Sequence, residues 1–283
     1  MTSTYLNIGT FLLTTIFYYL AIKPSFTYDM SVDPQKYKQY STNNYMRLAI
    51  YFLLVIFIQF IVNSKIISSN CGGSISDNMG AAAIFTFLPW TLIFGLVIII
   101  LTIYPGFKTA FSDVIGYYWI HMSANKIITE LLVDPDVQKK IDADTSSTVE
   151  QKEAMQSAAD AILKICGNTS VLINQIVPTN FNSYWDILTP LMKDKYKQTG
   201  PQTDEIKKEL FELVVTRDNV GESMWYIYTG ILLTLLVQLK ITSRGCQNNP
   251  KTMEQNYQKF LAAEQQAKQQ QEMATSTTYT ITN

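Results

Sequence analysis

Hydrophobic positions fall into four long blocks separated by mixed or polar sequence. Residues 6–22 (LNIGTFLLTTIFYYLAI), 48–62 (LAIYFLLVIFIQFIV), 81–104 (AAAIFTFLPWTLIFGLVIIILTIY) and 224–239 (MWYIYTGILLTLLVQL) contain no Asp, Glu, Lys, Arg or His. A helix needs roughly 20 mostly apolar residues to cross a bilayer. The third block meets this alone. The others reach it with their flanks, which gives spans over 6–22, 46–63, 81–104 and 223–241. Helices of a soluble protein show a polar stripe, and the third block has none. The first block lacks the basic leader and small-residue cleavage pattern of a signal peptide, so it reads as a retained anchor. Pro89 frees a backbone carbonyl that Thr86 or a neighbouring helix can satisfy, which favours a packed bundle. Tyr18, Tyr19, Tyr104, Trp225, Tyr226 and Tyr228 sit near block ends, where aromatic rings favour the headgroup layer.

Beyond the third block the chain reads Pro105-Gly106, a stop followed by a sharp turn. Phe107, Phe111, Val114, Ile115, Tyr118 and Met122 then recur at helical spacing, with Thr109, Ser112, Asp113 and Gly116 opposite them. The spacing predicts an amphipathic helix over 105–133, lying along the membrane with its stripe in the acyl boundary. Packing of that stripe on the following domain is the alternative. The interface residues of this elbow are Pro105, Gly106, Phe107, Phe111, Tyr118 and Trp119.

Residues 134–222 read as a small soluble helical domain. Asp134-Pro135 resembles an N-cap with Pro at N1, and Ser147 to Glu150 forms a capping box that opens a helix to about Cys166. A third helix is expected over 183–197 and a fourth after Thr203. The tail, 242–283, carries one short apolar stripe (Met253, Tyr257, Phe260, Leu261) before a polar, Gln-rich stretch. By itself it is expected to be loosely ordered.

Composition agrees with the hydrophobic pattern. Charged residues make up 16% of the 283, against about 25% in soluble domains. The net charge of −1 gives no field to attract nucleic acid. Three scattered cysteines and one histidine, His121, leave no usual metal site. Phosphate loops, nucleophile elbows, HExxH and CxxC are absent from the sequence. The Asp134/Asp136 and Asp142/Asp144 pairs suit capping. The reading is therefore a non-enzyme with no catalytic residue, cofactor or metal. Transporters usually bury ionisable groups within the bilayer. Here the blocks offer only Thr, Ser, Gln59, Gln238 and similar groups for interhelical hydrogen bonds.

Four spans place both termini on one side, and segments 23–47 and 105–223 on the other. Lys23, Lys36, Lys38, Arg47, Lys108 and Lys126 tip the second side toward the cytosol. Cys71 and Cys246 then share the opposite side and are placed to form a disulfide if that compartment oxidises. Two unpaired thiols are the alternative. The sequon at Asn168 faces the cytosol and stays bare.

The stretch PWTLIFGLVIIILTIYPGFKTAFSDVIGYY, residues 89–118, resembles membrane-embedded virion proteins of nucleocytoplasmic large DNA viruses. In these an apolar helix leads into Pro-Gly-aromatic, Phe-Ser and Gly-Tyr. Pro105, Gly106, Phe107, Phe111, Ser112, Gly116 and Tyr117 carry the match, and Phe107 and Asp113 depart from the family's Trp and Asn. The resemblance implies a minor capsid protein in a host-derived virion membrane beneath an icosahedral shell. Its partners would be the lipid bilayer and capsid proteins, with 105–222 as the contact region. The expectation from the whole sequence is an all-α integral membrane protein: about four transmembrane helices, an interfacial helix and a small helical domain. Its role would be structural. A cellular scaffold or assembly factor and a small channel subunit, built by homo- or hetero-oligomerisation, are the alternatives.

Overall fold

The computed structural model describes residues 2–71, 74–132, 169–189, 192–244 and 250–276. These segments are mostly helical, joined by short connections, with one isolated bridge between Leu132 and Met192. Helix α1 (Thr2–Phe17) continues as a π-helical turn, Tyr18–Ile22. After a short α2 (Tyr28–Val32) comes α3 (Pro34–Cys71). Next are α4 (Ile75–Pro89), a π turn (Trp90–Phe94) and α5 (Gly95–Ile103). A 3-10 turn (Pro105–Lys108) leads to α6 (Thr109–Phe111), a π turn (Ser112–Gly116) and α7 (Tyr117–Leu131). The lobe adds α8 (Thr169–Gln175), α9 (Phe181–Leu188) and α10 (Asp194–Lys197). The long α11 (Pro201–Arg244) and the tail helix α12 (Pro250–Ser276) complete the chain.

Four helical segments are long and apolar enough to cross a membrane. Their outward faces carry Leu13, Leu53, Phe57, Ile61, Leu88, Leu92, Leu236 and Leu239, all well exposed. Only a hydrocarbon surrounding makes such a surface inexpensive. Between the helices lies a core of Phe11, Tyr18, Tyr51, Trp90, Phe94 and Tyr226. Val62, Ile66, Ala82, Val237 and Ile241 form a second core toward the loop end of α3.

Two helices outrun their spans. α3 has 38 residues and α11 has 44, or about 57 and 66 Å at 1.5 Å per residue. The first turns of α3 are polar and the first half of α11 is amphipathic, so both helices continue without a break from the bundle into the lobe. The expected boundary at 222/223 falls inside one helix. The lobe core joins Ile120, Ile128 and Leu131 of α7 to Trp185 of α9 and to Leu210 and Phe211 of α11, with Phe26 and Tyr28 packed against it. The lobe therefore includes segments that precede the expected 134–222 domain, Phe26 and Tyr28 and the whole of α7 from Tyr117 to Leu131. The caps at Asp134 and Ser147, the two Asp pairs and the sequon's acceptor Asn168 fall outside the described residues. In place of one helix over 183–197 there are two, α9 and α10, flanking Pro190, which cannot donate the helical bond. The tail, expected to be loose, contains α12 over 27 residues.

Candidate functional site

The helix after the elbow does not lie along the membrane. Its contacts with α11 run in reverse order. Trp225 Nε1 donates to the Phe107 carbonyl at 2.8 Å, Lys108 reaches Asp218 and Glu222, Ser112 lies against Gly221, and Gly116 lies against Arg217. The two helices are antiparallel. Since α11 descends into the fourth span, α7 leads away from the bilayer, and Trp119 stands about 18 Å beyond Phe107. Small residues cause this. A Cβ added to Gly116 would lie 2.6 Å from the Arg217 carbonyl oxygen, and one added to Gly221 would lie 2.6 Å from the Ser112 Cβ. The buried face is therefore Ser112, Gly116, Ile120, Ala124, Ile127 and Leu131, while Val114, Tyr118, Trp119 and Met122 point outward.

The expected elbow residues divide accordingly. Pro105, Gly106 and Phe107 are exposed where the spans end. The Phe111 ring meets Trp225 edge-on at 5.1 Å. Tyr118 and Trp119 belong to the lobe's outer surface, 74% and 73% exposed. Gly106 has no left-handed backbone, and an added Cβ would meet nothing within 4 Å. The turn is made by Pro105 and does not need glycine. The aromatic belt also needs correction: Tyr18 and Tyr226 are buried in the bundle core, Tyr18 stacked on Tyr51 at 4.3 Å between ring centres.

Behind the elbow lies a cluster of four charges that the sequence reading missed. Glu222 Oε1 accepts from Lys23 and, at 3.0 Å, from the Tyr19 hydroxyl. Its Oε2 lies 2.7 Å from Lys108, and Lys108 lies 2.9 Å from Asp218 Oδ2. The four side chains are 7–18% exposed. Burying charges is expensive unless they are paired with good geometry, and here every member has an opposite partner. Burial pushes the Lys23 ammonium below its ordinary range, aided by Lys108 and opposed by Glu222. For Lys108 burial acts the same way, but Glu222 and Asp218 together outweigh it and hold the cation above its ordinary range. The cluster joins the end of span one, the elbow and α11. The signal was present: Lys23, Lys108 and Glu222 flank apolar blocks that end on one side of the membrane. Counting lysines for sidedness hid their pairing with acids.

One turn earlier on α11, Arg217 is fully buried. It donates to the Ile173 carbonyl and, at 2.9 Å, to the Ile176 carbonyl, closing the C-terminal end of α8. His121 Nδ1 contacts its own helix at the Tyr118 carbonyl, 2.7 Å away.

Inside the bundle, Asn7 donates to Asn63 and Asn63 donates to Thr86, each at 2.9 Å, while Gln59 donates to the Asn7 carbonyl. This ladder ties spans one, two and three together. Thr86 is thus engaged with Asn63. At the far end of α3, Cys71 is disulfide-bonded. Cys166 and Cys246, and with them the expected Cys71–Cys246 pairing, lie outside the described residues.

Between the foot of α3, the elbow and α11 opens a cavity of about 540 Å³, with Lys23, Lys108, Asp218 and Glu222 in its wall. Among the described residues no group of His, Cys, Asp and Glu side chains gathers that could hold a metal ion. No known family model, curated protein or solved structure matches this chain.

Proposed function

We propose that this chain is a structural membrane protein that holds a protein layer at a fixed height above lipid. We further propose that it is a minor capsid protein anchoring a viral shell to the membrane beneath it. The observation that carries the structural reading is the unbroken passage of α3 and α11 from bundle to lobe, cross-tied by the buried charge cluster. Such a build suits bearing load at a constant distance. The viral reading draws on the short resemblance at 89–118, and its partners are capsid proteins.

Cross-linking mass spectrometry on purified virions tests both. Links from the lobe lysines Lys193, Lys195 or Lys207 to shell proteins are the expected result. Links only to proteins inside the membrane would overturn the capsid role, and failure to copurify with mature particles would return the chain to a cellular scaffold. A channel is the rival that one observation favours: Asn7 Oδ1 and Gln59 Oε1 are buried without hydrogen-bond partners among the described residues. Ion flux in reconstituted vesicles, abolished by Gln59→Leu, would establish it. The structural reading expects no flux.

A further inference from the structure

We propose that the cavity beside the charge cluster binds the headgroup of a zwitterionic phospholipid bearing a primary amine. This inference is independent of what the lobe holds. The first support is level. The cavity wall includes Leu48 and Leu101, which belong to the bundle core, and Pro105 and Gly106 at the exposed elbow. Lys23 directly follows the first span. The cavity therefore lies where hydrocarbon gives way to water, at the depth of lipid headgroups. Its volume of about 540 Å³ falls in the ordinary range for ligand sites.

The second support is charge. Two cations and two carboxylates face the cavity, so its formal charge is zero. A net anion would meet Asp218 and Glu222, and a net cation would meet Lys23 and Lys108. A group carrying both signs, an ammonium two carbons from a phosphate, can set each end against its opposite.

The third support is unused hydrogen-bonding capacity. Asn44 Oδ1 is buried without a partner among the described residues, and Asn44 lines this cavity. It is an acceptor, and its burial calls for a donor. A primary ammonium carries three N–H donors. A trimethylammonium carries none and leaves it unsatisfied. The shared chemistry is phosphoethanolamine, and the membrane is the source proposed.

The test uses the full chain purified in mild detergent. Native mass spectrometry would follow retention of phosphatidylethanolamine, phosphatidylcholine and phosphatidylglycerol with identical acyl chains. The ethanolamine lipid should be retained at about tenfold lower concentration than either rival, since satisfying a charged donor outweighs a neutral contact. Asn44→Leu removes the acceptor and Ser41→Phe fills the cavity from the same helix foot. Each should erase the preference while leaving the melting temperature without lipid unchanged. Retention of all three lipids within about threefold, or a preference that survives the variant that folds, would overturn the site. Free phosphoethanolamine serves as competitor. If it binds as tightly as the lipid, the headgroup chemistry stands and the membrane source falls.

Discussion

Lys108 joins the elbow to α11 through two acids, and its removal takes the cation from Asp218 and leaves Glu222 with Lys23 alone in a buried setting. Lys108→Met should cost about 3–5 kcal/mol, the penalty for orphaning buried charge, read as a fall in melting temperature in detergent. A shift under 1 °C would show that the cluster contributes little. Glycines allow a sharper contrast. Gly116→Ala drives a methyl into the α11 backbone and should cost about 1–3 kcal/mol. Gly106→Ala meets open space and should stay within about 0.5 kcal/mol, although in the sequence Gly106 looks like the more constrained of the two. Equal effects from the two substitutions would refute the close crossing. The reason for the misreading is physical: proximity to Pro105 marks Gly106, whereas nothing local marks Gly116, whose constraint comes from a helix a hundred residues away.

At the scale of elements, the four spans were legible because lipid imposes its demand on each segment separately: length and absence of charge suffice. What α7 packs against was not legible. Its aromatic stripe is the stronger periodic signal, yet the weaker stripe of Ser112, Gly116 and Ala124 is buried, because small residues admit a second helix at close range. The lobe's limits were missed for a related reason, since α11 changes from amphipathic to wholly apolar without changing its backbone. This continuity is testable. Val220→Pro removes a helical bond at the boundary and should cost about 3 kcal/mol locally. Spin labels at positions 197 and 239 should report a narrow distance distribution in the parent and a broad one in the variant. Equally narrow distributions would mean that the lobe is held by other ties. Within the bundle, Asn63→Leu breaks two rungs of the polar ladder and should cost about 0.6–2 kcal/mol per bond, measured by thermal unfolding in detergent. A variant as stable as the parent would assign bundle cohesion to packing alone.

For the whole molecule, the bonded Cys71 fixes more than a loop. The sequence expectation of four crossings puts positions 71 and 246 on one face of the bilayer and position 166 on the other, with roughly 30 Å of hydrocarbon between. Cys246 is therefore the expected partner. Proteolysis without reductant, followed by mass spectrometry, should yield a peptide joining Cys71 to Cys246. A Cys71–Cys166 peptide would contradict the four-span topology itself.

α3 and α11 carry their axes from hydrocarbon into water without a joint. The lobe and the spans consequently act as the two arms of one lever. With about 30 Å of α11 above the bilayer, each 10° of lean in the spans moves the lobe tip sideways by roughly 5 Å. Neighbouring copies in a curved sheet of lipid would splay at their tips by an amount set by the radius of that curve, so a lattice gripping those tips would sense vesicle size through spacing alone.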